Sequence, residues 1–282
     1  MRDAVQEAAR FIVARSEEAL TLADVADHVA YSPFHLARAF EREIGLPPGK
    51  FLAAQRFQVA KRLLLDTDDK IADVCNAVGF HAPGTFTTRF TAAVGVSPQR
   101  FRRLPSVLAD NPPLPVSVPG PAADGGTVSG RVLLGLAALA AVGGQPAVYV
   151  GLFPRRAASG IPVSGALLGP DARFTLTGVP PGSYRLMACA LAAAESPRTQ
   201  LVARAPVVGA AARPVHVRRG PLQAPDLWLD VPPPWSPPVL VALPPLACRT
   251  AQDRTAQDWR CPAIGAPVGL AVGGLAVGAE ST

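Results

Sequence analysis

The chain has 282 residues, 49% hydrophobic and 17% charged, with a formal net charge of +6, enough for two modest domains with a core each. The positive balance favours a polyanionic partner. Yet residues 1–105 carry 14 Lys and Arg against 12 Asp and Glu, while the remainder carries 13 Arg against 9 acids. This excludes an amino-terminal part that holds nucleic acid by bulk charge; any reader there must place individual arginines.

The first residues, MRDAVQEAARFIVARSEEAL, form a mixed-charge amphipathic helix rather than a secretory signal. Val5, Ala9, Ile12 and Val13 fall on one stripe of it. Thr21 is placed to cap a second helix through Val29, with Asp24 at its third position. Ser32 caps a third with Pro33 at the first helical position, and Gly45 ends it. A long helix is expected over 48–65, with Phe51, Leu52, Gln55, Val59, Arg62 and Leu63 marking its turns. Helices over 70–78 and 83–94 and a final turn over 98–104 complete this half.

These helices contain an internal repeat. Residues 22–51 (LADVADHVAYSPFHLARAFEREIGLPPGKF) realign on 71–101 (IADVCNAVGFHAPGTFTTRFTAAVGVSPQRF), with His81 as one extra residue at the turn. Asp24, Val25, Val29 and Tyr31 map to Asp73, Val74, Val78 and Phe80. Pro33, Leu36, Phe40, Gly45 and Phe51 map to Pro83, Phe86, Phe90, Gly95 and Phe101. One supersecondary unit is thus used twice, and its form is a helix-turn-helix, which sets a helix in the DNA major groove.

In the third helix Leu36, Phe40 and Ile44 face the core, leaving Phe34, His35, Arg38, Glu41 and Arg42 outward. Arg38 can take a guanine bidentately; the alternative is a surface ion pair with Glu41, worth only about 0.2–0.5 kcal/mol. In the second unit Phe86, Phe90 and Val94 face inward, leaving Gly84, Thr85, Thr88 and Thr91 outward and Arg89 on the flank. The 18 residues of the connecting helix span roughly 27 Å, comparable to the ~34 Å between successive major grooves on one duplex face. One monomer can therefore carry two reading heads.

Residues 1–105 resemble the DNA-binding domain of the AraC/XylS family of transcription regulators, on both repeat motifs and the stretch RFQVAKRLLL between them. The resemblance implies sequence-specific binding of promoter or operator double-stranded DNA and control of transcription, commonly through RNA polymerase. By position it sets Phe34, Ala37 and Arg38, then Pro83, Gly84, Thr85, Thr87 and Thr88, against bases. Ser32 and His35 stand at the same helix end, and Arg42 and Arg89 are expected at phosphates. Pro83-Gly84 offers little side chain where the family usually has polar readers, so the second head is expected to contribute affinity or shape reading. The domain also stands first in the chain, whereas many family members carry it last.

Twenty-five of the 31 prolines follow Pro105. Residues 106–124 (SVLADNPPLPVSVPGPAAD) read as a Pro-rich linker, a composition that argues mildly against rigid coupling between the halves. Strands are expected over 127–134, 146–153, 173–176, 184–191, 214–217 and 226–231, forming a small antiparallel sandwich over 125–246. In this region Tyr184, Leu186, Ala188 and Ala190 alternate to one side after a Pro180-Pro181-Gly182 turn. RFTLTGVPPGSYRL resembles the prealbumin-like module of carboxypeptidase regulatory domains, which implies a sandwich but no activity. The tail over 247–282 is expected to be poorly ordered. The fold class is therefore multidomain: an all-α double helix-turn-helix domain followed by an all-β small sandwich domain.

No catalytic constellation is legible. Asp171, Glu195, Asp226 and Asp230 lack helpful spacing, and His28, His81 and His216 carry no metal pattern. Cys75, Cys189, Cys248 and Cys261 form no CxxC pair, so free thiols in a reduced cytoplasm are expected, without cofactor or metal. The same absence of a cysteine cluster discounts the alkyltransferases that join an AraC-like module to a zinc-bound cysteine. The apolar run over 132–142 is too short to cross a membrane. The β region is left as an effector sensor, a protein-interaction or dimerisation module, or a passive appendage. In the alternative reading of the whole chain, that region dominates as an interaction or ligand-binding module and DNA binding serves as targeting.

Overall fold

The computed structural model describes residues 1–110, 113–154, 160–192, 196–203 and 206–246. Glu195, Cys248, Cys261 and the whole 247–282 tail lie outside the described residues. The amino-terminal half is helical: α1 (Arg2–Ala14), α2 (Leu22–His28), α3 (Pro33–Ile44), α4 (Pro48–Asp66), α5 (Ile71–Ala77), α6 (Pro83–Val94) and α7 (Pro98–Asp110).

The starts and stops follow from local chemistry. The Asp24 N–H donates to the Thr21 hydroxyl at 3.2 Å, and the Thr21 N–H donates to the Asp24 carboxylate at 2.8 Å, a reciprocal cap worth about 1 kcal/mol. The Thr21 hydroxyl also donates to the Asp24 carboxylate at 2.7 Å and, with the Thr21 N–H, holds that carboxyl below the usual carboxylate range. The Ser32 hydroxyl accepts from the His35 N–H. Lys70 and Ala82, at the matching starts, make no side-chain cap. Gly45 and Gly95 end α3 and α6 at φ 85° and 92°, where a side chain would be strained.

The repeat is reproduced in three dimensions. The Tyr31 N–H donates to Ala26 O at 2.9 Å and the Phe80 N–H to Cys75 O at 3.0 Å. The residue before each donor, Ala30 or Gly79, has positive φ, 55° and 78°. Each unit has its own core. Val5, Ala9, Ile12, Val25, Leu36, Phe40 and Phe51 are buried together in the first. In the second, Phe57 stacks on Phe80 at 5.2 Å and meets Phe86 and Phe90 within 6.0 Å. Cys75 is buried here, in the place of Ala26, as a small core residue.

Helix α7 departs from expectation. It continues past Leu104, through Pro105, to Asp110, because Phe101, Leu104 and Leu108 form one buried stripe against the core of the second unit. Of the segment expected as a linker, 106–110 is thus helix and Val116–Val118 is a strand.

The second half contains β1 (Val116–Val118), β2 (Gly126–Leu134), α8 (Leu136–Val142), β3 (Ala147–Phe153), β4 (Ser164–Leu167), β5 (Arg173–Val179), β6 (Gly182–Leu191), α9 (Pro197–Leu201), β7 (Val207–Ala210), β8 (Val215–Val217), β9 (Pro221–Gln223), β10 (Leu227–Leu229) and α10 (Leu243–Leu246). A six-stranded sheet runs β1-β4-β3-β6-β7, with β8 also on β6; a four-stranded sheet runs β10-β2-β5, with β9 also on β2. Both β9 and β10 pair with β2 in parallel, so the expectation of a purely antiparallel arrangement is corrected. The 86 residues between β2 and β9 supply the long crossover that parallel pairing requires.

The two sheets share one apolar core, to which β6 contributes Tyr184, Leu186, Ala188 and Ala190, all on one side as their alternation requires. Tyr184 donates its hydroxyl to Pro180 O at 3.0 Å, closing the turn between β5 and β6. The alternate residues, Cys189 and Leu191, face the other way and are buried with Tyr149, Phe153, Val241 and Leu243.

The halves are packed together, which corrects the expectation of loose coupling. Leu201, Leu240 and Ala242 join the core of the second helical unit. The Ala242 N–H donates to Val94 O at 3.0 Å and the Gly160 N–H to Ala93 O at 2.7 Å. Arg10 of α1 lies 4.2 Å from the Trp235 ring centre.

Candidate nucleic-acid interface

The exposed ends of α3 and α6 are equivalent parts of the repeat. On α3, Ser32, Phe34, His35, Arg38 and Arg42 are exposed and Ala37 is half-buried. Phe34 is 65% exposed, a large apolar ring held in solvent where helix stability gains nothing from it. The Arg38 guanidinium lies 5.6 Å from the centre of that ring. Its charge therefore sits on the outward face rather than in the alternative pair with Glu41, which is not among the ion pairs of the described residues. Arg42 reaches Glu43 at 3.9 Å, both on the surface, a contact too weak to withhold it from a phosphate. His35 Nδ1 lies 2.9 Å from the Ser32 hydroxyl, so Ser32 orients the imidazole as well as capping α3.

On α6, Pro83, Gly84, Thr85, Thr88 and Arg89 are exposed and Thr87 is half-buried. The Thr88 hydroxyl donates to Gly84 O at 3.0 Å and that of Thr91 to Thr87 O at 2.7 Å. Their hydroxyl hydrogens are thus engaged with the helix, leaving methyl groups and oxygen lone pairs for a partner. Arg89 leans back over Phe80, 5.6 Å from its ring centre. The contacts from the β half fall at Ala93 and Val94, the far end of α6, and leave Pro83–Thr88 open.

Helix α4 joins the heads. Its 19 residues span about 28 Å. From its middle, Arg56 donates through Nε to Ser16 O at 2.8 Å, through Nη2 to Glu18 O at 2.7 Å and through Nη1 to Gly79 O at 2.8 Å. It thereby ties the loop before α2 to the turn before α6. Burial, with the Arg89 charge nearby, lowers the Arg56 guanidinium from its ordinary value. From α7, Arg102 similarly donates to the carbonyls of Leu64 and Asp69. Neither arginine was singled out by sequence; the signal for Arg56 was an arginine adjoining the buried positions Ala53, Ala54 and Phe57 of the strut.

Lys61 was also missed. It is 2% exposed, donates to Val239 O at 3.3 Å and lies 5.7 Å from the Phe101 ring centre. Burial pushes its ammonium down to about 7. Among the described residues no three His, Cys, Asp or Glu side chains gather as a metal site, and no helix is long and apolar enough to cross a membrane.

Residues 25–104 match the family model described as a helix-turn-helix domain. The melibiose operon regulatory protein of Escherichia coli K12 is 35% identical over 94 residues, 33% of this chain and 31% of that protein. The HTH-type transcriptional activator AarP of Providencia stuartii is 32% identical over 83 residues, 29% of this chain and 62% of that protein. The solved C-terminal domain of AraT, a response regulator from Geobacillus stearothermophilus, is 35% identical, covering 36% of this chain and 84% of that one at a TM-score of 0.34. The chain therefore spans about a third of the melibiose regulator and under two thirds of AarP, and the family match lies in the helical half. Two matched turns, two open recognition helices and this similarity together identify residues 25–104 as a helix-turn-helix DNA-binding domain of the AraC type.

Proposed function

We propose that this protein is a sequence-specific regulator of transcription whose two recognition helices enter successive major-groove segments of one DNA duplex. The observation that carries the reading is the pairing of two equivalent helices, α3 and α6, each open along its amino-terminal turns and both anchored to one strut. In this reading Arg38 specifies a base pair, with Phe34 against the adjoining groove wall and thymine methyls. Ser32, His35, Arg42 and Arg89 hold phosphates. Ala37 and Pro83, Gly84, Thr85, Thr87 and Thr88 bring close, largely apolar surfaces to the bases, so the second head reads shape and methyl groups more than hydrogen-bond patterns. RNA polymerase is the expected protein partner, and the cytoplasm the expected compartment.

The two sheets fit a prealbumin-like sandwich, which we assign a sensing or partner-binding part rather than catalysis. A specific observation favours the ligand-binding form of that part: an apolar cavity of about 300 Å³ lies over the outer face of the six-stranded sheet, lined by Tyr149, Phe153, Met187 and Cys189 and covered by Val239 and Val241.

The full chain is the right material for the test, because Leu201, Leu240 and Ala242 complete the core of the second unit. Selection of bound fragments from random duplex DNA should enrich a bipartite site whose halves lie one helical turn apart. Enrichment of a single half-site of five or so base pairs, or of no sequence, would refute the two-headed reading.

A further inference from the structure

Between α4 and the proline-rich segment over 231–239 lies a cavity of about 510 Å³. Two polar groups one helical turn apart on α4 border it. Lys61 is enclosed and has three donors, for which the structure provides one long hydrogen bond to Val239 O and the face of Phe101. The Gln58 side-chain oxygen is buried and accepts no hydrogen bond. A buried cation and a buried amide oxygen are both costly when incompletely paired. Packing alone would be served better by an apolar residue, as the neighbouring Ala60, Leu64 and Leu65 of the same helix show.

We propose that this cavity binds a small hydroxylated organic acid, whose carboxylate accepts from Lys61 and whose hydroxyl donates to the Gln58 oxygen. The volume suits a molecule of that size. Charge selects a monoanion: the lining carries Lys61, Arg62 and Glu17, formally one net positive charge, so a phosphate dianion is over-matched. The opposite wall selects hydroxyl groups. Its prolines have no N–H to donate and offer only carbonyl acceptors. An occupant would touch both the strut that carries the two heads and the segment by which the β half clasps it. The site stands independently of the DNA-binding reading, and its test contains no DNA.

The test is calorimetric titration of the full chain with straight-chain hydroxy acids of three to seven carbons. Gluconate is the central probe; the matching polyols and unsubstituted carboxylates serve as comparisons. Each titration is run at pH 8 in two buffers of different ionisation enthalpy. Lys61 is then largely neutral in the empty site, and a bound carboxylate restores its charge. The Cys189 thiol nearby is held protonated at this pH by burial. At least one hydroxy acid should bind about tenfold or more tightly than its polyol and its unsubstituted analogue, with uptake of close to one proton per ligand. Lys61→Met should abolish both effects. Should that variant misfold, Gln58→Leu keeps the proton uptake and loses the preference for hydroxylated acids. No binding by any hydroxy acid, equal binding of acids and polyols, or binding without proton uptake overturns the assignment.

Discussion

The Nη1 of Arg56 donates to the carbonyl of Gly79 at 2.8 Å, while Nε and Nη2 of the same side chain hold Ser16 and Glu18. A guanidinium is suited to this because its donors diverge in one rigid plane, so a single residue in the middle of the strut ties the loop leading into the first unit to the turn of the second. The relative setting of α3 and α6 thus depends on contacts that neither recognition helix makes itself.

Arg56→Ala should therefore destabilise the fold by about 2–3 kcal/mol, the scale for hydrogen bonds to a charged group left unmade. Arg56→Lys should behave almost as badly, since one ammonium cannot reach three carbonyls in that fork. Urea unfolding of the three proteins decides it. A lysine variant within about 0.5 kcal/mol of the wild type would mean that charge rather than geometry is what matters at this position.

The two turns make a paired prediction. Ala30 and Gly79 occupy the same place in the repeat and both have positive φ. Ala30→Gly should stabilise by roughly 0.5–1 kcal/mol, relief of the left-handed strain outweighing the added freedom of the unfolded chain. Gly79→Ala should do the reverse and more, because its new Cβ would lie 2.9 Å from the Arg56 Cζ. That extra cost should shrink in an Arg56→Ala background, a coupling that a double-mutant cycle reads directly. Additive effects would show that the two residues do not sense each other.

What could be read from sequence divides along the same line as local and distant causes. Helices α2, α3 and α6 were legible because Thr21, Ser32, Pro33, Pro83, Gly45 and Gly95 act within a few residues, and because the buried stripe Leu36–Phe40 recurs as Phe86–Phe90. The exposed set from Phe34 to Arg42 followed from that stripe alone. Helix α7 was cut short because Pro105 and the prolines after it resemble linker composition, whereas Leu108 supplies a buried residue that outweighs the lost backbone bond. The parallel pairing of β9 and β10 was beyond reach, because register between strands so far apart leaves no local mark. Lys61 was illegible for the same reason: its cover, Val239, is 178 residues away, and a lysine on an amphipathic helix otherwise reads as solvated.

On DNA, Arg38 and Arg42 should separate two kinds of contact made from one helix. Arg38→Ala should weaken a selected site by about 1–3 kcal/mol and relax preference at one base pair. Arg42→Ala should weaken all duplexes alike and lower the salt slope by about one. Fluorescence anisotropy over a range of salt, on the selected and a scrambled duplex, distinguishes them. Equal losses on both duplexes for Arg38→Ala would remove it from base reading.

The buried lysine predicts a pH dependence of defined sign. In the folded chain Lys61 titrates at about 7 against the usual 10.5, so above pH 7 the unfolded chain holds a proton that the folded chain lacks. Stability must then rise with pH from about 7 upward, because the cost of enclosing the cation is fully present below that point and is relieved above it. The Cys189 thiol, pushed up to about 12 from 9.0, acts oppositely once the unfolded thiol ionises, so the window from pH 7 to 9 isolates the lysine. With a slope of at most about 1.4 kcal/mol per pH unit, wild type should gain roughly 2 kcal/mol across it relative to Lys61→Met. Below pH 7 the methionine variant should be the more stable protein, having no charge to desolvate. Parallel urea-unfolding curves for the two proteins from pH 6 to 9 would show that water reaches Lys61, and with it that the β half does not close over the strut in solution.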